Sequence, residues 1–297
     1  MTKIKTLTGP MRLPFIVLTP ACVLLGISTA YYESGNVNWI LAILIIIGAI
    51  SAHISVNAFN EFFDFKSGLD LKTQRTPFSG GSGTIPDNPE MERPALNIAW
   101  ITFAITLFIG LYFVYITGWQ LLPLGLLGLL FVFIYTKWVT RSPIICLIAP
   151  GIGFGILMVM GTHFVLTGHY TWIAFVASLI PFFLVNDLLL LNQFPDVEAD
   201  RSIGRKHFPI TIGRKKSGLI YLVFMILAYL TIILAVITGL FPLTSLLGLL
   251  PVFLAIPVSI GVLKNYDDIE KLIPFMGKNV LINLLTPVLT AIGIFLG

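Results

Sequence analysis

Nine long apolar runs decide what this chain can become. They fall at roughly 14–32, 38–60, 95–116, 119–137, 143–167, 172–193, 217–238, 241–263 and 277–296. About 20 apolar residues suffice to cross the hydrocarbon core of a bilayer as a helix. Inside lipid every backbone N–H and C=O must be paired within the protein, which leaves only helices or a closed barrel. Barrel strands alternate apolar and polar residues, whereas these runs are continuous, so they read as helices. Composition agrees: of 297 residues, 11% are charged, against about 25% in a soluble chain. The first run has no small-residue cleavage site and reads as a span, not a signal peptide. Cys22 and Cys146 both fall inside runs and read as small packing residues, with no disulfide or metal framework.

Charge sets the topology. All 18 Lys and Arg residues lie in the N-terminus or behind the second, fourth, sixth and eighth runs. The positive-inside rule then puts the N-terminus in the cytoplasm and, after nine crossings, the C-terminus outside. The net charge of +4 is this bias, and no nucleic-acid partner is needed to explain it. The outer connections are short. Cytoplasmic loops occupy about 62–94, 136–142 and 194–216, and two of them exceed the 12–15 residues beyond which loops are usually functional or disordered. The first contains TPFSGGSGTIPDNPE. It reads either as a flexible linker or, as favoured here, as an ordered cap whose glycine amides approach an anion closely.

The inner ends of two runs carry polar clusters. Asn60-x-x-x-Asp64 ends the second run and Asn192-x-x-x-Asp196 ends the sixth, 132 residues apart and arriving at the same membrane level. As a helix, His53, Asn57, Asn60 and Asp64 share one face. Asn192, Asp196 and Asp200 have the same one-turn spacing, although Pro195 must kink or end the helix there. Amide and carboxylate oxygens without His or Cys suit a hard cation. So few carboxylates fit Mg²⁺, which keeps waters and takes substrate phosphate oxygens. Lys66, Lys72 and Arg75 follow the first cluster, and Arg201, Arg205 and Lys206 the second. Two acidic clusters, their cations and a basic rim make a diphosphate site. A diphosphate at the mouth of an apolar bundle points to an isoprenyl diphosphate, its tail in the membrane.

NEFFDFKSGLD and NQFPDVEAD, the nine runs and the two long loops resemble the UbiA superfamily of intramembrane aromatic prenyltransferases, over essentially the whole chain. Within it, Asp64 followed by Gly68, Asp70 and Arg75 is most similar to the 1,4-dihydroxy-2-naphthoate polyprenyltransferases of menaquinone synthesis. The resemblance implies a single all-α domain over 1–297, with nine transmembrane helices around a central cavity under a cytoplasmic cap. It implies Mg²⁺ and diphosphate at Asn60, Asp64, Asn192, Asp196 and Asp200, with Arg75 as a further diphosphate contact. It places Tyr135 and Lys137 of YTKW near the site. Three departures stand out: the first motif reads Asn60-Glu61 where the family usually has Asn-Asp, the third acid is Asp70, six residues after Asp64 where many members have it at four, and Pro195 stands where the family often has Arg, so Arg205 or Lys206 is expected to substitute. The implied reaction is departure of diphosphate, formation of an allylic cation, attack by an aromatic carbon, and loss of a proton or CO₂. Acceptors other than a naphthoate stay open: 4-hydroxybenzoate, a tetrapyrrole or geranylgeranylglyceryl phosphate. A transporter is the alternative of another class. Its acids usually sit near the midplane, whereas these cluster at one end.

Three features deeper in the spans remain. His53 and Asn57 read either as interhelical hydrogen-bonding groups or as acceptor contacts. Asp187 is a carboxyl within a span and so expensive. It stands half a turn out of phase with Asp196, which turns it away from the cation unless Pro195 re-aims the chain, and it reads either as a structural pairing or as a cavity group. The alternation Gly151, Gly153, Gly155 reads as close helix packing.

Overall fold

The computed structural model describes residues 3–297, with side chains from Thr6 onward, so those of Lys3 and Lys5 lie outside the described residues. Its long helices are α1 (Thr6–Ser34), α2 (Trp39–Lys66), α3 (Pro89–Thr117), α4 (Trp119–Ile134), α5 (Pro143–Thr167), α6 (Trp172–Asn192), α7 (Arg214–Ile237), α8 (Leu243–Lys264) and α9 (Ile269–Phe295). Among the described residues eight of these are long and apolar enough to cross a membrane; α4, the fourth apolar run, is shorter. Its three residues of 3₁₀-helix and thirteen of α-helix extend roughly 25 Å, less than the ~30 Å of hydrocarbon.

α6 is the axle of the bundle. It packs against α1, α5, α7 and α9 and buries Ile180, Leu184, Val185 and Leu191 completely. α3 lies at the periphery, packed chiefly on α2. The polar ends meet at one end of the bundle. Arg12 joins Glu61, Lys66 joins Glu92, Arg205 joins Asp64 and Arg214 joins Asp267, while Lys206 N–H donates to Thr140 O at 2.9 Å. These contacts join the starts of α1 and α3 to the end of α2, the start of α7 to that of α9, and the segment after α6 to the end of α2 and the turn after α4.

Two expectations about helix ends come out differently. The first polar cluster lies in the last turns of α2, which runs on to Lys66, so the cap begins only at Ser67. The second does not share one helical face. Pro195, with no N–H to give, lets α6 end at Asn192. Asp196 then stands at the N-cap position of a separate short helix, Val197–Ser202, without a side-chain cap bond.

α5 departs from regularity as well. Ile152–Met160 is π-helical, and the Gly151 N–H donates to Asn186 Oδ1 of α6 at 2.6 Å. The glycine alternation divides between two tasks. A methyl on Gly151 would stand 2.2 Å from Phe182 O, and one on Gly155 2.6 Å from Phe182 N and Ser178 O, both backbone atoms of α6. Gly153 has nothing within 4 Å because it faces a cavity. Forcing a methyl into packed backbone costs about 1–3 kcal/mol. Gly155→Ala should therefore lower the thermal unfolding midpoint in detergent by several degrees, whereas Gly153→Ala should leave it within a degree of wild type.

Candidate functional site

A cavity of about 480 Å³ opens between α1–α5, the inner end of α6 and the middle of α9. One wall is the polar face of α2: His53, Asn57, Asn60 and Asp64 all line it, as 3- and 4-residue spacing requires. At the end of α2, Gly68 takes φ +74 and Leu69 N–H returns to Asp64 O at 3.0 Å. This C-cap reversal carries Asp70 back into the site, where it is buried. From the other half of the chain come Asn192, Asp196, Asp200, Arg205 and His207. The two motifs repeated 132 residues apart thus meet across one space.

Arg205 joins them. Its guanidinium donates to Asp64 Oδ1 of the first cluster and to Asp200 Oδ1 of the second, the latter at 2.8 Å. Asp200 Oδ2 pairs with His207 Nε2 at 2.9 Å, so both its oxygens are engaged. Asn60 Nδ2 donates to Asp64 Oδ2 at 3.0 Å. Three buried oxygens on the rim have no hydrogen-bond partner among the described residues: Asp70 Oδ2, Asn192 Oδ1 and Asp196 Oδ1. Burial, with Asp64 and Glu61 adding, pushes the Asp70 carboxyl up to about 7. Burial and the neighbouring Asp200 raise Asp196 to about 7 as well. The site has more buried carboxylate than its own cations compensate. Among the described residues no three His, Cys, Asp or Glu side chains close a metal cage by themselves. An ion here would complete its shell with water or substrate oxygens, as Mg²⁺ does.

Glu61 is not among the free oxygens. It is fully buried. Arg12 Nε and Ser82 N–H both donate to its Oε1 at 2.7 Å, and Ser82 Oγ donates to its Oε2 at 2.7 Å. The cap loop is accordingly ordered against the site: Gly80 N–H is directed at Asp196. A methyl on Gly81, whose φ is +73, would meet Asp70 Oδ1 at 3.2 Å and Glu61 Oε1 at 3.3 Å.

Arg12, counted in the sequence only as topological charge, lines the cavity. It is the only described non-glycine residue with positive φ, at 50°, a conformation that costs about 1–3 kcal/mol and is held here by Glu61 and by Asn60 Oδ1 at 2.9 Å. The sequence signal was a lone base between Pro10 and Pro14, just ahead of the first apolar run. His207 gave no comparable signal.

Several expected residues stand elsewhere. Arg75 is not on the cavity wall; it pairs with Asp87 at 3.2 Å across the cap. Lys206 is exposed, turned out between the inward Arg205 and His207. Lys66 pairs with Glu92 at 2.7 Å and Lys137 lies 4.6 Å over the Phe63 ring, both behind Asp64 rather than in front of it. Tyr135 does line the cavity. Asp187 does not, and neither of its fully buried oxygens has a partner. Deeper in, His53 Nδ1 is 2.8 Å from Thr19 Oγ1, its ring stands edge-on to Phe154, and Asn57 Nδ2 donates to Met11 O at 3.1 Å.

Beyond this polar end the cavity is apolar and runs past Phe131, Phe154 and Leu157 to Leu121 and Val165. Leu111, Leu122 and Leu126 line it and are also exposed on the outer surface of the bundle. The space therefore opens sideways, toward lipid.

Comparison with known proteins agrees with this layout. The chain is 27% identical over 254 residues to a 1,4-dihydroxy-2-naphthoate octaprenyltransferase of Bacillus subtilis, covering 84% of this chain and 78% of that protein. Its fold matches that of a UbiA homologue from Aeropyrum pernix with a TM-score of 0.72, at 17% identity, over 96% of this chain and 98% of the other. A UbiA homologue from Archaeoglobus fulgidus bound to DMAPP and Mg²⁺ matches with a TM-score of 0.58, at 13% identity, over 96% and 98%. Residues 19–285 match the model of the UbiA prenyltransferase family, and with almost the whole bundle inside that match, the chain belongs to this family of membrane prenyltransferases.

Proposed function

We propose that the protein transfers the isoprenyl chain of a polyprenyl diphosphate to 1,4-dihydroxy-2-naphthoate, in menaquinone synthesis, with Mg²⁺ as cofactor. The observation that carries the reaction is the junction of a carboxylate-rich pocket and an apolar cavity open to the membrane: one substrate with a diphosphate head and a hydrocarbon tail fits both. The naphthoate acceptor rests on the Bacillus relative and on the Asp64–Gly68–Asp70–Arg75 spacing. Other aromatic acceptors and a glycerol-phosphate acceptor are the outcomes that would displace it. By the charge bias, the acids and the cap face the cytoplasm and the nine helices leave the C-terminus outside.

The donor set fits Mg²⁺, which would be held by Asp70, Asn192 and Asp196, the residues with unpartnered oxygens, together with Asp64 once Arg205 turns to the diphosphate. Bound there, the ion would neutralise charge developing on the departing diphosphate. Arg12 and Arg205 donate to the same oxygens. The C–O bond breaks and leaves an allylic cation in a space lined by Phe131, Tyr135 and Phe154. Their ring faces attract it, and the apolar walls keep water from quenching it. His53, its ring fixed by Thr19, and Asn57 orient the acceptor so that an aromatic carbon attacks. The new C–C bond is followed by loss of CO₂ or a proton.

Three outcomes test this reading. Asp64→Asn or Asp196→Asn should lower kcat at least about 100-fold, the scale of losing one preorganised electrostatic contact, and EDTA should abolish wild-type turnover with Mg²⁺ restoring it. Transfer by the purified protein, followed by mass spectrometry across a panel of acceptors, measures both. His53→Leu or Asn57→Leu should raise the acceptor KM about tenfold, equivalent to one hydrogen bond of ~1.4 kcal/mol, and leave isoprenyl diphosphate binding unchanged; loss of diphosphate binding alone would assign that face to the polar end. A cysteine at Lys215 should react with impermeant maleimide only from the cytoplasmic side.

A further inference from the structure

Behind Asp64 lies a second cavity, of about 230 Å³, that none of these steps uses. The end of α2, the turn at 136–141 and the cap segment around Arg205 form its walls, and Lys66, Ser67, Lys137 and Arg141 on them are exposed, so it opens to the surface. Asp64, Thr140 and Arg205 line both cavities, so the two spaces share one thin partition at the point where the diphosphate would sit.

Their chemistry is opposite. The main cavity is largely apolar and opens toward lipid. The smaller one is lined by Lys66, Lys137, Arg141 and Arg205 and by the hydroxyls of Ser67, Thr136 and Thr140, with Asp64 its one carboxylate. Two of the four cations are compensated, Lys66 by Glu92 and Arg205 by Asp64 and Asp200. Arg141 is exposed and pairs with no carboxylate among the described residues. Lys137 lies over the Phe63 ring and pairs with no carboxylate among the described residues. Thr136 Oγ1 accepts from Asn60 Nδ2 at 3.3 Å, which leaves its own hydrogen to donate. Ser67 Oγ already donates to Asp64 O at 2.9 Å and Thr140 Oγ1 to Thr136 O at 2.8 Å, so Thr136 is the free hydroxyl donor, and a concave space with two uncompensated cations beside it is a site for a compact anion.

We propose that this cavity holds inorganic diphosphate on its way out after transfer. The proposal rests on the prenyl-transfer reading, which makes diphosphate a product. That product cannot follow the prenylated one. An ion stripped of water in an apolar passage costs tens of kcal/mol, so the lateral mouth that suits an isoprenoid is closed to it. The partition offers the alternative: Arg205 faces both cavities, and Lys137 and Arg141 wait behind it. The two products separate by polarity, hydrocarbon to the membrane and anion to the loop-bearing end.

The site predicts that inorganic diphosphate binds in two places, the main cavity and the side cavity, and that occupancy of the second does not exclude isoprenyl diphosphate. Equilibrium binding of radiolabelled inorganic diphosphate to the full-length protein with Mg²⁺ should count two sites in wild type and one in Arg141→Glu, with Arg141→Lys restoring the second. In steady state, inorganic diphosphate should inhibit wild type with a component noncompetitive toward isoprenyl diphosphate. In Arg141→Glu that component should weaken at least tenfold, while the competitive component and the KM for isoprenyl diphosphate change less than twofold. One site in both proteins, or purely competitive inhibition of wild type, would overturn the proposal. The binding measurement needs neither acceptor nor turnover, so two sites without transfer to any acceptor would overturn the prenyl-transfer reading instead.

Discussion

The site depends on one guanidinium. Arg205 bonds Asp64 and Asp200, which reach the cavity on segments brought from opposite halves of the chain. Without a cation between them, these carboxylates and Asp196 would face one another across a space shielded from water, where like charges repel far more strongly than in solution. Folding the two halves together requires that repulsion to be cancelled before any substrate arrives. Arg205 supplies the cancellation and is flexible enough to exchange it. In the proposed reaction an incoming diphosphate would offer the guanidinium a second partner, and the Asp64 oxygen would become available to a metal ion.

That arrangement explains why the cavity has two ends of such different character. The carboxylates sit where loops and helix ends supply hydrogen bonds, at the limit of the hydrocarbon layer. The opposite end needs no polar groups and is built from leucines, phenylalanines and glycines. α4 is short, and none of its α-helical residues is buried, so it forms a loose outer wall through which the cavity reaches lipid. A longer, tightly packed helix at this position would have closed it. Carbocation chemistry needs this division. The leaving group requires charge, the cation requires dryness, and neither tolerates the other's surroundings.

Most of the bundle was legible because lipid allows so few backbone solutions: a continuous apolar run of 20 residues has little choice but to be helical. The polar face of α2 was legible for the same reason, since 3- and 4-residue spacing translates directly into position on a helix. What the sequence could not yield were contacts made across turns. Asn192, Asp196 and Asp200 converge although Pro195 breaks their common helix, because the chain turns at Gln193–Asp196 and starts again at Val197. Arg75 follows the first cluster closely in sequence, yet Asp87 claims it. Arg12 is about fifty residues from Glu61 and meets it only because its backbone adopts a left-handed conformation that no pattern of apolar residues encodes.

Glu61 shows what such long-range contacts accomplish. At this position the family motif has the shorter Asp, and a carboxylate close to the helix would point toward the cation with Asp64. The extra methylene of Glu carries the charge past that point to Arg12 and to both the N–H and the hydroxyl of Ser82. Hydrogen bonds to a charged group contribute about 1.5–3 kcal/mol each. Removing a single partner from so buried a carboxylate would strand its charge. The result is a clasp with three arms, one on the N-terminal segment, one on α2 and one on the glycine-rich cap. It fixes the cap at the height where Gly80 meets Asp196 and Gly81 closes over Asp70. Asp70, six residues beyond Asp64 and returned by the turn at Gly68, then stands with a free oxygen facing the cavity. Glu61 therefore anchors the glycine-rich cap, and Asp70 keeps a free oxygen beside Asp64.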